Sequence, residues 1–113
     1  MFSWMTENGA NYDKLKVRYY APDYRGVHAS QDIKKGETIL YVPKNEIITL
    51  EMAFASPIGK QMFARNHRNR LLSPKHSFLA TYVMQERRKE ESIFDKYIDI
   101  LPKAFDNFPI FYT

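Results

Sequence analysis

The apolar residues of this 113-residue chain change their period once, near Thr49, and that change narrows the folds open to it more than any other feature. Before it, short runs alternate apolar and polar side chains, the two-residue repeat of a strand. Four runs qualify: 15–21 (LKVRYYA), 27–30 (VHAS), 37–42 (ETILYV) and 46–49 (EIIT). Pro22 with Asp23, and 32–36 (DIKKG), read as turns, with Gly36 available for a positive φ. Pro43 closes the third run. A short helix over 2–8 precedes the strands, with Phe2, Trp4 and Met5 as its apolar side and Gly9 placed to end it.

After Thr49 the spacing is helical. Thr49 is a candidate N-cap for 50–55, and Ser56-Pro57 pairs an N-cap with proline at the first helical position. Ser73-Pro74 repeats that signal. Phe78, Leu79, Tyr82, Val83 and Met84 fall on one helical face, with 85–91 as a solvated end. Ile93, Phe94, Tyr97, Ile98 and Leu101 predict one more helix, stopped by Pro102. Trp4 and Tyr97 are expected in the core. Strands first and helices after give the α+β class: short β-strands of a partial sheet (1–49), then a helical region (50–113). Four short strands leave open edges, which invite self-association. The aromatic stretch 105–113 ends without a partner, so the sheet reads as one completed by residues beyond this chain.

Composition excludes several classes. Aromatics make up 15% (8 Tyr, 8 Phe, 1 Trp), too many for a disordered chain. There is no cysteine, hence no disulfide or thiolate chemistry, which fits an intracellular protein of cytoplasm or nucleus. The opening MFSWMTENGA lacks the basic and apolar regions of a secretory signal. No apolar run approaches the roughly 20 residues of a membrane helix. The net charge of +4 is compatible with an acidic partner but demands none. Basic clusters at 65–70 and 87–89 read as solvated helix ends; a nucleic-acid role ranks last, because aromatics are not interleaved with them. His28 reads as strand filler, and His67 and His76 as surface residues lacking the convergent partners that metal or acid–base work needs.

Five short motifs then fall in a recognisable order. They are Phe2, Trp4 and Met5 before Glu7-Asn8-Gly9-Ala10; Tyr24-Arg25-Gly26-Val27-His28-Ala29; Asp32-Ile33, Gly36-Glu37, Ile39-Leu40 and Val42-Pro43; Ile48-Thr49 with Ser56-Pro57-Ile58-Gly59; and Phe94-Asp95-Lys96-Tyr97, Leu101-Pro102 and Phe108-Pro109. Together they resemble the N-terminal half of a SET domain, in the subclass of the Rubisco large-subunit methyltransferase. The resemblance implies S-adenosyl-L-methionine as cofactor and methyl transfer to a lysine, or less readily a histidine, of a protein substrate.

It also implies that Tyr24, Arg25, Gly26 and Val27 form the cofactor loop, where a glycine lets backbone approach the ligand closely. Tyr24 departs from the family pattern, which has a glycine there. Gly36 reads as a hairpin turn only. The family's Asn-His motif and catalytic tyrosine belong to its C-terminal half, and Asn66-His67 does not map onto them; no catalytic and no metal residue is assigned here. The acceptor lysine, with a pKa of about 10.4, must lose its proton and its water before reacting, so such domains work by positioning and water exclusion. Phe105, Phe108, Phe111 and Tyr112 are candidates for a substrate groove or for packing against that second half. The chain alone is expected to be inactive and to bind the cofactor weakly or not at all. The rival reading is a non-catalytic SET-like module for protein interaction.

Overall fold

The computed structural model describes residues 1–22, 24–65, 71–105 and 109; the expectations for Asp23, for His67 and the rest of 66–70, and for Phe108, Phe111 and Tyr112 lie outside them. The chain forms two compact units: 1–42 with the residues from 100 onward, and 43–99.

The first unit opens with α1 (Phe2–Glu7). Gly9 has φ +93°, in the left-handed region that glycine enters without steric cost. That turn aims Ala10 N–H at Met5 C=O (2.9 Å) and Gly9 N–H at Thr6 C=O (3.1 Å), the paired bonds of a Schellman motif. Next comes an antiparallel hairpin of β1 (Leu15–Ala21) and β2 (Tyr24–Ala29). Its partners run from Leu15 opposite Ala29 to Tyr19 opposite Arg25, and an irregularity between Tyr19 and Ala21 leaves Tyr20 as the extra residue of a bulge.

The second strand therefore starts at Tyr24 rather than Val27, and Tyr24–Gly26, expected in a loop, lie in the ladder. The third predicted strand does not form. Among the described residues, the backbone pairing of 37–42 is limited to one isolated bridge, in which Asn11 and Tyr41 exchange both backbone bonds (2.9 and 2.8 Å). An alternating run becomes a strand only where a neighbour pairs along it, and here pairing is confined to that bridge. A Lys14–Glu37 ion pair (2.9 Å) and the turn at Gly36 (φ +88°) hold the run in place.

The second unit is helical. The fourth predicted strand (46–49) does not form either: Glu46 ends a 3-10 turn, Lys44–Glu46, that its N–H closes onto Pro43 C=O (3.0 Å), and 47–49 run irregularly into the next helix. Then follow α2 (Leu50–Ala55), α3 (Pro57–Ala64), α4 (Pro74–Arg87) and α5 (Asp95–Ile98). Two of the three expected caps form, and Ser73 makes no side-chain cap on α4. Thr49 accepts from Met52 N–H (3.3 Å), and Ser56 Oγ accepts from Gly59 N–H (3.1 Å) while donating to Ala53 C=O (2.7 Å). One serine thus ends α2 and starts α3, and the turn between them is tight: a methyl on Gly59 would sit 2.0 Å from Ala53 O.

Phe54, Phe63 and Phe78 pack as a ring triad with centroids 4.8–5.0 Å apart. Phe78 and Phe94 are fully buried, which contributes roughly 2 kcal/mol each. Three expectations fail here. Met84, expected on the apolar face, is largely exposed. Glu86, placed in a solvated helix end, is 2% exposed, because the 3.6-residue repeat that buries Phe78 and Tyr82 carries on to it. Tyr97 is 38% exposed rather than a core anchor, since α5 is a single turn that buries Ile98 instead.

Candidate functional site

The hairpin holds all four residues singled out as cofactor-binding, and its hydrogen-bond phase decides what each offers. Ser30 N–H donates to Lys14 C=O (2.8 Å). In an antiparallel ladder such a bond belongs to a closely bonded pair, and bonded pairs alternate with unbonded ones. Counting inward along the register makes Lys16–His28 and Arg18–Gly26 bonded pairs, and Val17–Val27 and Tyr19–Arg25 unbonded ones. The polar backbone groups of Gly26 therefore face Arg18. Those of Arg25 and Val27 point away from β1, along an edge that has no ladder partner among the described residues.

The side chains sort onto two faces with the two-residue period. One carries Leu15, Val17, Tyr19, Arg25 and Val27. There the Arg25 guanidinium lies 6.0 Å from the Tyr19 ring centroid and donates to Ile100 C=O (2.5 Å). The other carries Lys16, Arg18, Tyr20, Tyr24 and His28, with Gly26 among them. Tyr20 stands 5.2 Å from the Tyr24 ring and 5.7 Å from the His28 ring, shares a hydrogen bond between its hydroxyl and His28 Nε2, and has the Arg18 guanidinium 5.7 Å above it. Its ring covers the glycine: a first side-chain carbon at position 26 would meet Tyr20 Cε2 at 3.3 Å. Tyr20 and Tyr24 are both at least half exposed.

The structure thus brings Tyr24, Arg25, Gly26 and Val27 together, but in three different settings. Tyr24 stands on the aromatic face, Gly26 lies beneath a ring, and Arg25 and Val27 expose backbone at an edge. Tyr20 and Arg18 were missed by sequence reasoning. A tight hairpin turning at Pro22 pairs Ala21 with Tyr24 and, counted onward without interruption, would set Tyr19 rather than Arg18 opposite Gly26; the bulge that shifts this register by one and swings Tyr20 over the glycine left no mark in the sequence.

Other polar features lie in the helical unit. An apolar depression of about 450 Å³ is lined by Leu50, Phe54, Leu72 and the start of α4, where Ser73 Oγ and His76 Nδ1 share a hydrogen bond of 2.7 Å. That bond occupies Ser73, which makes no side-chain cap of its own helix. Glu86 accepts from Lys89 Nζ and Ser92 Oγ (2.5 Å each), and Ser92 Oγ in turn accepts from Phe94 N–H (3.2 Å). The bond with Glu86 holds Lys89 above its ordinary pKa; burial, followed by the Glu86 charge, pushes Tyr82 up. This network fastens the end of α4 to the loop before α5. Glu46 is buried, and neither carboxylate oxygen is bonded among the described residues. Among the described residues no three His, Cys, Asp or Glu side chains are grouped to hold a metal ion, and no helix is long and apolar enough to cross a membrane.

No protein-family profile matches the chain. Curated relatives include the actin-histidine N-methyltransferases of Homo sapiens, Mus musculus and Gallus gallus, each 28% identical over 113 residues. The match takes in 99% of this chain and 18% of each relative, so the chain spans about a fifth of their length. Among solved structures, the SET domain of LSMT bound to methyllysine and AdoHcy superposes with a TM-score of 0.76 at 26% identity, covering 99% of this chain and 24% of that one. Rubisco LSMT bound to sinefungin and monomethyllysine gives 0.71 at 28%, over 93% and 23%.

Proposed function

We propose that this chain, which has the fold of part of a SET domain of the Rubisco large-subunit methyltransferase type, belongs to an S-adenosyl-L-methionine-dependent protein N-methyltransferase. The acceptor is a lysine of a protein substrate, with histidine as the alternative that the actin-histidine relatives bring in. The observation that carries this is the likeness, over nearly the whole chain, to a domain solved with AdoHcy and methyllysine.

The hairpin's chemistry fits such a cofactor. Arg25 and Val27 offer outward N–H and C=O groups to polar atoms of the ligand, and Gly26 keeps the strand surface between them flat enough for a planar group to lie on it. S-adenosyl-L-methionine, when bound, supplies a methyl group on a sulfonium. The residues of this chain bind and orient; Tyr24 shields that surface from water, and Arg25, tied to Ile100 C=O, keeps the edge in place. We assign 1–49 to the strand region of the domain and 50–113 to its helical insert, in cytoplasm or nucleus. Self-association through the open strand edges belongs to the same reading.

The test uses the protein that contains this chain, methyl-labelled S-adenosyl-L-methionine and a pool of cellular proteins. Labelled methyl should appear on lysine or histidine of a protein acceptor. Gly26→Val should cut the incorporation more than tenfold while the circular dichroism spectrum is unchanged. Equal incorporation by the variant would refute the cofactor edge; no incorporation into any acceptor would favour the second reading, a non-catalytic SET-like interaction module. That reading draws on Tyr24 standing where the family has a glycine and on Tyr20 lying across Gly26.

A further inference from the structure

Gly26 gives the strand a flat surface, and a side chain of this same chain already lies on it. Tyr20 reaches it because the bulge between Tyr19 and Ala21 turns one extra residue over β2. The ring is held from three sides: by the hydrogen bond to His28 Nε2, by Arg18 at 5.7 Å, and by Tyr24 at 5.2 Å. None of these partners is buried, and Tyr20 itself is 50% exposed, so the ring can swing into water without opening the core. A planar ligand and the Tyr20 ring would need the same few ångströms above Gly26, where even one added carbon comes within 3.3 Å of the ring.

We infer that Tyr20 is a gate on the cofactor edge, closed over Gly26 in this structure and displaced when a nucleoside ligand seats; this rests on the cofactor reading above. The gate sets affinity and leaves the chemistry of transfer untouched. Opening breaks one solvent-exposed hydrogen bond, the ring contacts with Tyr24 and His28 and the exposed Arg18 contact, interactions that together hold the ring by about tenfold in equilibrium constant. Removing them relieves the ligand of that competition. Tyr20→Ala and His28→Ala should therefore each tighten S-adenosyl-L-methionine binding, the first by roughly tenfold.

The experiment is nuclear magnetic resonance on the protein that contains this chain, labelled in its backbone and tyrosines and titrated with S-adenosyl-L-methionine to millimolar concentration. The gate is supported if the nuclear Overhauser contact between the Tyr20 ring and the Gly26 α-protons fades as the Arg25 and Val27 amides shift, and if Tyr20→Ala binds more tightly. It is overturned if those amides shift while the contact persists, or if Tyr20→Ala weakens binding, which would make the ring a stacking platform. His28→Ala gives the same reading with the ring still present, should loss of Tyr20 disturb the hairpin. If no amide from Tyr24 to Val27 shifts at any concentration, the cofactor reading itself fails and the gate falls with it.

Discussion

Glu46 gives the sharpest test of the helical unit. The residue is 8% exposed, and neither carboxylate oxygen has a hydrogen-bond partner among the described residues. Leaving a buried acceptor unmade costs about 1–3 kcal/mol, and more when the group is charged. The backbone around it does not need the side chain: Glu46 N–H donates to Pro43 C=O (3.0 Å) and Ile47 N–H to Lys44 C=O (3.2 Å). Substitution should then leave the 3-10 turn intact and remove only the penalty. Glu46→Leu, close in volume and fully apolar, is expected to stabilise the protein by about 2 kcal/mol, near the middle of that range. For a domain of this size that raises Tm by roughly 8–16 °C. Glu46→Gln removes the charge but keeps two polar atoms without partners, so it should gain about half as much. Calorimetry at neutral pH, with urea melts to confirm an unchanged m-value, measures both. The order Leu above Gln above wild type is the prediction. A Tm lowered by Gln would mean that the carboxylate has a charged partner, and the account of an unbonded acid would be wrong.

Two further outcomes follow from the same unit. Gly59→Ala places a carbon 2.0 Å from Ala53 O and 2.9 Å from Phe54 O, so α2 and α3 must part; a loss of about 3 kcal/mol or more in urea unfolding is expected, and an unchanged midpoint would refute the tight junction. In alkali, Lys89 (ordinary value 10.5) and Tyr82 (ordinary value 10.0) both keep their protons longer in the folded state than in the unfolded one. Their contribution is therefore complete below 10 and lost as pH rises through the folded values. Unfolding midpoints followed from neutral pH upward should fall in that window, and Lys89→Met should flatten the fall; a midpoint that holds steady through it would contradict the Glu86 network.

Local signals were legible wherever the structure they specify is made by neighbours in sequence. Thr49 and Ser56 cap as their positions suggest, Gly9 ends α1, and Gly36 turns with positive φ, because each needs only a few adjacent residues. The runs 37–42 and 46–49 misled because alternation records which faces differ in polarity and says nothing about whether a neighbouring strand is there to pair. At 46–49 the turn after Pro43 also places Glu46 in the interior. Glu86 was misplaced for the opposite reason: charge suggested solvent, yet the helical repeat carried it inward and Lys89 and Ser92 supplied its bonds. Of the candidate site, the four residues were legible as a group. That Gly26 turns its polar groups toward Arg18 was not, since it depends on the ladder's phase.

That phase also constrains how the two proposed uses of the hairpin relate. The outward groups of β2 belong to Arg25 and Val27, and a strand from a second chain pairing there would bond to the same N–H and C=O groups that a ligand would take. On β1 the outward groups belong to Val17 and Tyr19; Leu15 N–H is already bonded to Tyr12 C=O (2.8 Å), and the bulge at Tyr20 interrupts the edge immediately after. The longer uninterrupted edge is thus the one that faces the proposed ligand. Pairing of copies through β2 and seating of the cofactor exclude each other, and by mass action each weakens the other. A dimer that dissociates as S-adenosyl-L-methionine is added would place the contact on β2. One indifferent to the ligand would place it elsewhere, leaving Arg25 and Val27 free for the nucleoside.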